Sequence, residues 1–313
     1  MAVQNIVEYA KGLEPGVERA IIEIFAQESD VLAALPMMAA PGGVYRYDRE
    51  AALPGIAFRG VNESYTATRG VINPQVEQTF IAGGEIKVDK ALIRRFGESR
   101  RSREERMQIK KLTRTITTKL FFGSNATEKR EFDGIKTRLS TSDANLVTAN
   151  VGTSGGGALS LYKLDRAIDK VAEPTHICMS KAMRTRLTQA GRNTGVGGYV
   201  SQTKNDFGQI ITSYRGLPIL VGYENETVDG ELFPFDEVAS GGGSAVTTSI
   251  YVASLKEGML AGLQVAPMDV KDLGEIDASP HFVTRIEWDI GMCIEHPAAV
   301  HRLTSITDAA ITA

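Results

Sequence analysis

The sequence predicts an α+β fold, in which helices and long strands follow one another without the strand–helix–strand repeat of a parallel α/β sheet. Two observations lead to this class. Large apolar residues alternate with charged ones over residues 282–294, which is typical of a long half-buried strand. The chain also contains 31 glycines, an excess that favours turns and loops over a bundle of helices.

The composition is that of an ordinary globular protein, with 42% hydrophobic and 23% charged residues. The net charge of -3 excludes a wholly basic nucleic-acid coat. Cys178 and Cys293 are too few for a disulfide framework and are predicted to be buried thiols. No signal peptide or membrane span is predicted, so we expect a soluble protein made in the cytoplasm.

Residues 16–35 are predicted to form an amphipathic helix that Pro36 ends. Its apolar positions include Ile21 and Phe25. Two interpretations fit equally well. The helix packs on the core of its own chain, or it is an arm that docks on a neighbouring subunit.

Residues 43–88 are predicted to form a long polar excursion with short strands at 44–49, 56–59 and 76–81. Few long apolar residues occur between Val44 and Gln75, so the excursion is hard to bury within its own domain. We expect it to be disordered or to lie on a partner.

The stretch from Asp89 to Phe122 is the most helical and the most basic part of the chain. Asp89 is predicted to cap a short helix that Gly97 interrupts, and Ser99 or Ser102 to cap a longer one. Residues 89–119 contain eleven basic and four acidic residues. The longer helix carries an apolar stripe at helical spacing, formed by Ile109, Leu112, Ile116 and Leu120.

The basic helix allows two interpretations, contact with a polyanion or pairing with acidic neighbours. The intermixed glutamates and the absence of interleaved aromatic residues favour pairing. Farther along, we predict a helix at 158–171, a buried strand at 176–179, a helix capped by Ser180, a polar loop at 191–208 and core strands at 216–222 and 249–253.

Catalytic motifs are weak. Residues 152–156 match the G-x-S-x-G pattern of serine hydrolases, with Ser154 as the nucleophile, but a poor strand precedes them and a third glycine follows. Two Cys and His pairs, around Cys178 and Cys293, could offer zinc ligands, although buried thiols fit better. No phosphate-binding loop or paired-carboxylate signature occurs. We therefore predict no enzymatic activity, no cofactor and no metal.

Several segments follow one another in a characteristic order: YRYDREAALPGIAFRGVNE, FFGS, EFDGIKTRL, HICMSKAMRTRL, YRGLPILV, TSIYVASLKEGMLAGLQ, VKDLGE and VTRIEWDIGMCIEHPAAVHRL. This order resembles the major capsid proteins of tailed bacteriophages, which have the Hong Kong 97-type coat fold. The resemblance covers almost the whole chain, although no single motif is diagnostic.

The resemblance implies a division of the chain. Residues 1–42 would be the N-terminal arm and 43–88 the E-loop, which lies over an adjacent subunit. Residues 89–154 would form the peripheral domain with its spine helix, 155–265 the axial domain, and 266–313 the return to the peripheral domain.

The resemblance also implies a function and partners. The protein would form hexamers and pentamers of an icosahedral shell enclosing double-stranded DNA, which it contacts non-specifically. We expect a separate scaffolding protein and a portal as partners, no membrane, and a location in the virion capsid after assembly in the host cytoplasm. An encapsulin-like nanocompartment shell is the alternative, and a serine hydrolase is a weaker one.

Inter-subunit surfaces are the sites that this resemblance implies. The candidates are Ile21 and Phe25 in the arm, and Arg100, Arg101 and Arg103 in the basic spine region. Gly97, Gly123 and Gly155 are candidate hinges. The E-loop candidates are Arg46, Arg49, Glu50, Arg59, Glu63, Arg69 and Glu77.

Some shells of this fold are locked by an isopeptide bond from an E-loop lysine. Residues 43–86 contain no lysine, and a guanidinium keeps its proton and cannot act as the nucleophile. We therefore expect the E-loop to be held without covalent bonds, with Glu50, Glu63 and Glu77 pairing across subunits.

Overall fold

The computed structural model describes residues 4–5, 28–97, 99–139, 143–192, 200–204, 210–222, 230–275 and 280–312. The helices are α1 (Asp30–Ala34), α2 (Lys90–Phe96), α3 (Ser99–Phe122), α4 (Ile135–Arg138), α5 (Leu161–Asp169) and α6 (Lys181–Ala190), with short 3-10 turns at Pro41–Gly43 and Pro297–Ala299.

The strands form a first sheet, a second sheet and a separate two-stranded hairpin. In chain order they are β1 (Gln4–Asn5), β2 (Pro36–Ala39), β3 (Val44–Ala52), β4 (Val71–Gln78), β5 (Phe80–Asp89), β6 (Val147–Ala149), β7 (His176–Met179), β8 (Val200–Lys204), β9 (Ile210–Tyr214), β10 (Leu217–Val221), β11 (Glu237–Val238), β12 (Ala245–Ala253), β13 (Leu260–Gln264), β14 (Asp269–Glu275), β15 (His281–Ile294) and β16 (Val300–Ile306).

The long strand β15 organises the first sheet. It pairs antiparallel with β5 along one side, and with β14 and then β13 along the other. β2 continues the sheet parallel to β13. The predicted alternation is confirmed from Arg285 to Ile290, because Ile286, Trp288 and Ile290 are buried while Glu287 is exposed.

Helix α3 packs on one face of this sheet and carries the predicted apolar stripe. Ile109, Ile116 and Leu120 are buried in the same core as Ile86 and Trp288. Asp89 caps α2 as predicted, since its carboxylate accepts a hydrogen bond from the Ala91 N–H at 2.7 Å. The cap predicted at Ser102 is wrong, because the helix begins at Ser99 and Ser102 lies inside it.

The second sheet has the strand order β6-β16-β12-β7-β10-β9-β8, and β11 pairs with β12. Alternate residues of β12 divide between two cores. Ile250 and Val252 face the helices α5 and α6, whereas Tyr251 and Ala253 join the core that contains Phe121 of α3. The second sheet is therefore covered on both faces, and the C-terminal end of α3 contacts it through Phe121, whose ring centre lies 5.3 Å from that of Tyr251.

Four expectations differ from the structure. Residues 56–59 form no strand, because this part of the excursion has no neighbouring strand with which to pair. Residues 36–39, expected in the arm, form β2 and belong to the first sheet. The boundary at 265 also differs, because β13 pairs with β15 in the first sheet. The last strand, β16, belongs to the second sheet, not to the first.

Candidate functional site

The hairpin formed by residues 43–79, called here the projecting hairpin, is closed at its base where the Thr79 N–H donates to the Gly43 carbonyl at 3.0 Å. β3 and β4 pair from Val44 opposite Gln78 to Ala52 opposite Val71. Side chains alternate between two faces. Tyr45, Tyr47 and Arg49 of β3 turn towards the body of the chain, while Arg46, Asp48 and Glu50 are exposed.

The inward face attaches the base of the hairpin to the end of β15. The Tyr45 hydroxyl donates to Glu295 Oε1 at 2.8 Å, and the Tyr47 hydroxyl donates to the Ile294 carbonyl at 3.0 Å. Arg49 donates to the carbonyls of Ile294 and Glu295 at 2.5 and 3.2 Å. Burial, and then the hydrogen bond to Glu295, raises the pKa of Tyr45, so this hydroxyl stays protonated as a donor.

A partly buried ion pair makes a further attachment. Arg138 of α4 donates through both terminal nitrogens to the two carboxylate oxygens of Glu77 in β4, with Nη2 at 2.8 Å from Oε2. The same guanidinium donates to the carbonyls of Asp133 at 2.7 Å and Met292 at 3.3 Å. Glu77 therefore pairs within its own chain, which differs from the expectation that it pairs across subunits.

The outer part of the hairpin is exposed along residues 52–72. Several large apolar side chains in it contact water rather than protein. Relative to an extended reference, Phe58 is 106% exposed, Ile56 95% and Val61 93%. Contiguous exposed apolar side chains on an extended loop are typical of a surface that another chain covers.

The tip nevertheless has contacts of its own. Glu63 accepts a hydrogen bond from the Gly60 N–H at 2.8 Å, and Arg59 donates to the Glu63 carbonyl at 3.0 Å. The Arg59 guanidinium lies 5.3 Å from the centre of the Tyr65 ring. These local bonds order the turn around which the apolar side chains are displayed.

The predicted E-loop residues divide into two groups. Arg49 and Glu77 bond to their own chain, at the base. The others are exposed in the isolated chain, and their pairing across subunits stays a prediction: Arg46, Glu50, Arg59, Glu63 and Arg69.

The contacts of Arg101 support the interpretation that basic residues of α3 pair with acidic neighbours. Its guanidinium lies 2.6 Å from Asp272 Oδ1 and 3.0 Å from Glu105 Oε1, and it donates to the Thr284 hydroxyl at 3.0 Å. Arg101 therefore joins α3 to β14 and β15. Arg103 is exposed, and the side chain of Arg100 lies outside the described residues.

The candidate hinge glycines have different conformations. Gly97 and Gly155 have φ angles of 81° and 78°, which favour glycine. Gly123 has another reason to be glycine, because a Cβ there would lie 2.4 Å from the Phe132 carbonyl oxygen and 2.6 Å from that of Lys119. Close packing, rather than freedom to bend, requires a glycine at 123. Ile21 and Phe25 lie outside the described residues.

The structure gives no support to the catalytic alternatives. Ser154 is exposed in a turn, whereas the ring nitrogens of His301 bond to the Thr148 hydroxyl at 2.8 Å and to the Asn145 carbonyl at 2.7 Å. Within the described ranges, no cluster of three or more His, Cys, Asp or Glu could hold a metal. In the same ranges, no helix is long and apolar enough to cross a membrane.

Sequence reasoning missed the attachment of the hairpin base. Its two tyrosines and Arg49 share one face of β3, a spacing that predicts a common partner surface. The partners Arg138 and Glu295 are far away in sequence and carried no such signal.

Comparison with known proteins agrees with this geometry. A family model for major capsid protein GP7 matches residues 14–163. Three solved structures share the fold over most of the chain. A chain of the holo-SrpI encapsulin complex from Synechococcus elongatus PCC 7942 has a TM-score of 0.62 at 12% identity and covers 100% of this chain and 99% of its own. A chain from Mycobacterium phage Adephagia gives 0.59 at 15%, covering 98% and 99%.

The third structure is the capsid of a native GTA particle, with a TM-score of 0.60 at 12% identity and coverage of 87% and 88%. No curated protein matches the sequence. The family match and the shared fold point to the same class of protein. The chain has the Hong Kong 97-type coat fold, and its residues 14–163 match the major capsid protein family.

Proposed function

We propose that this chain is a major capsid protein, which forms hexamers and pentamers that close into an icosahedral shell around double-stranded DNA. The projecting hairpin would serve as the E-loop and lie over the adjacent subunit. The observation that carries the proposal is the set of exposed apolar side chains at the hairpin tip, which touch little of their own chain.

The two sheets support a division into domains that differs slightly from the one expected from the sequence. We assign the first sheet and α3 to the peripheral domain, with α3 as the spine helix. We assign the second sheet, with α5 and α6, to the axial domain. The chain then crosses to the axial domain at β6 (Val147–Ala149), returns at β13 (Leu260–Gln264) and crosses again at β16 (Val300–Ile306).

The apolar tip would supply much of the energy for docking. Burying a side chain such as Ile56 or Phe58 against another subunit contributes about 1.5–3 kcal/mol each. Because every subunit presents one hairpin, this contribution is repeated around each capsomer. The exposed charges Arg59 and Glu63 lie beside these anchors and would set the register.

Substitution of the tip tests the proposal. Ile56→Asp combined with Phe58→Asp should leave a folded, soluble protein, because neither side chain belongs to a core. Shell formation should fail, since two charges would have to be buried at the contact. Negative-stain electron microscopy of the purified protein measures the outcome.

The matched control places the same two charges on polar positions of the same loop, as Ser64→Asp with Thr66→Asp, both exposed. This control should form shells. Normal shells from the Ile56 and Phe58 double variant would contradict the proposed role of the hairpin.

A separate scaffolding protein, a portal and packaged DNA are the further partners that we propose, with assembly in the host cytoplasm. The resemblance to phage capsid proteins supports them. A location in the virion capsid belongs to the same proposal, and the match of residues 14–163 to the major capsid protein family supports it.

A nanocompartment shell is the second candidate, since the encapsulin chain covers the whole length of this one. The nucleic-acid content of nuclease-treated shells separates the two candidates. Shells from infected cells that retain protected DNA support the virion, whereas shells that contain only protein support the nanocompartment.

A further inference from the structure

The direction of the projecting hairpin depends on very few contacts. Its outer residues 52–72 are exposed, so only the base can fix the angle at which the hairpin leaves the body. Along β3, Arg49 is the outermost residue that bonds to β15. From there to Val61 at the tip, a fully extended chain would span at most about 40 Å.

Because of that length, a small rotation at the base displaces the tip by a large distance. Turning the hairpin by about 10° at Arg49 would move a tip about 40 Å away by about 7 Å. Such a displacement exceeds the reach of a van der Waals contact. An apolar anchor such as Phe58 can meet a fixed partner surface only if the base is stiff.

Arg138 is the residue that joins the most parts of the structure at this base. Its guanidinium contacts both carboxylate oxygens of Glu77 in β4, the carbonyl of Met292 in β15 and the carbonyl of Asp133 before α4. The side chains of Arg138 and Glu77 are only 18% and 16% exposed. A paired fork of this kind specifies geometry as well as energy, because both groups are planar.

The tyrosines next to this pair reinforce it. The Tyr47 hydroxyl lies 3.5 Å from Glu77 Oε1 and also donates to the Ile294 carbonyl. Burial, and then the negative charge of Glu77, raises the pKa of Tyr47, so its hydroxyl remains a donor. The group formed by Tyr45, Tyr47, Glu77 and Arg138 thus ties both strands of the hairpin to the first sheet.

We propose that Arg138 is a positioning residue for assembly, which locks the base of the projecting hairpin and so fixes the direction in which its tip reaches a neighbouring subunit. The proposal rests on the proposed role of the hairpin as a contact between subunits. It adds that the angle of the hairpin is built into each chain before assembly.

The test compares the wild type with the double variant Arg138→Met and Glu77→Met. Both partners are removed together because a single substitution would leave a partly buried charge unpaired. Amide hydrogen exchange of the unassembled full-length chain should rise by about tenfold or more in β3 and β4 near Tyr47 and Glu77. Exchange in β12 and β16 should not change, and the assembled particles should vary in diameter.

Two further variants keep the test decisive. Arg138→Lys retains the charge but loses the fork, so it should give intermediate exchange and serves if the double variant does not fold. Arg186→Met with Asp308→Met removes an ion pair of 2.7 Å remote from the hairpin, and should change neither exchange in the hairpin nor particle diameter.

Unchanged exchange at the hairpin base would overturn the proposal, as would faster exchange accompanied by uniform shells of wild-type diameter. A rise in exchange throughout the chain would show a structural role only and would also overturn it. The tip variants of Ile56 and Phe58 report separately on the contact between subunits. Normal shells from the tip variants would count against the hairpin as a contact between subunits. Hydrogen exchange would still show whether the Arg138–Glu77 pair stiffens the base of the hairpin.

Discussion

At the scale of single residues, close approach and charge pairing explain positions that composition alone does not. Gly123 lies where α3 ends and the chain turns back past Phe132. Glu237 is largely buried, and Arg302 and Lys136 each lie 2.7 Å from its Oε1. Although burial opposes its charge, these two cations hold the pKa of Glu237 below its usual range. The pairing joins α4 to the second sheet.

Gly123→Ala is predicted to destabilise the chain. The added methyl group would lie 2.4 Å from the Phe132 carbonyl oxygen, and backbone atoms on both sides leave it no room. We expect a loss of about 1–3 kcal/mol in the free energy of unfolding, measured by chemical denaturation.

Gly152→Ala is the matched control for this prediction. No atom lies within 4 Å of the position of its Cβ, and its φ is not in the left-handed region. The control should differ from wild type by less than about 0.5 kcal/mol. Equal stability of the Gly123 variant and the control would show that the contact at 123 relaxes without cost.

At the scale of elements, helix α3 carries an apolar stripe and also basic side chains that pair with other segments of the chain. The stripe packs on the first sheet, and Thr117 in the same helix bonds to the Ser29 hydroxyl at 2.9 Å. Glu28 lies 2.9 Å from Lys110 and 3.5 Å from Arg114. Several basic side chains of α3 therefore form ion pairs that hold other segments of the chain in place.

Arg101 and Arg103 should respond differently to neutralisation. Arg101→Gln removes the link from α3 to Asp272 and should lower the free energy of unfolding by about 1–3 kcal/mol. Arg103→Gln, at an exposed position of the same helix, should change it by less than about 0.5 kcal/mol. Thermal unfolding of the two purified variants provides the comparison.

The same pair of variants addresses contact with the genome. If exposed cations of α3 contact DNA, Arg103→Gln should spare assembly of empty shells and reduce DNA retention. If Arg103→Gln impairs empty-shell assembly instead, its charge serves a contact between subunits. The docking of the arm through Ile21 and Phe25 stays a prediction, because these residues lie outside the described part of the chain.

At the scale of the whole molecule, the described residues leave the outer part of the projecting hairpin, residues 52–72, exposed. The two sheets bury their apolar faces against helices, whereas the projecting hairpin exposes its apolar residues. An assembly of many copies can cover these residues repeatedly. If the hairpin lies on a neighbouring subunit as proposed, we expect it to be held non-covalently, because residues 43–79 contain no lysine nucleophile.

Mature particles boiled in detergent and reducing agent should therefore run as a single band near the monomer mass of 33.8 kDa. The guanidinium groups of the hairpin remain protonated and cannot attack an amide carbon. A ladder of covalent oligomers would contradict this prediction and would direct attention to Lys87, at the end of the excursion. Gel electrophoresis followed by mass spectrometry of any upper band is the measurement.

The sequence by itself determined the class of fold, most of the core elements and a polar excursion at 43–88 that is hard to bury, of which residues 52–72 are exposed. These are local properties, because apolar spacing, capping by Asp89 and Ser180, and a shortage of apolar residues are all visible along the chain. Tertiary structure alone decided which charges are structural. Arg138 pairs with Glu77, and Arg101 with Asp272, only because folding brings distant segments together. Tertiary structure also decided that β16 belongs to the second sheet. The packing of the two cores sets this strand pairing, and no pattern within the strand itself does so.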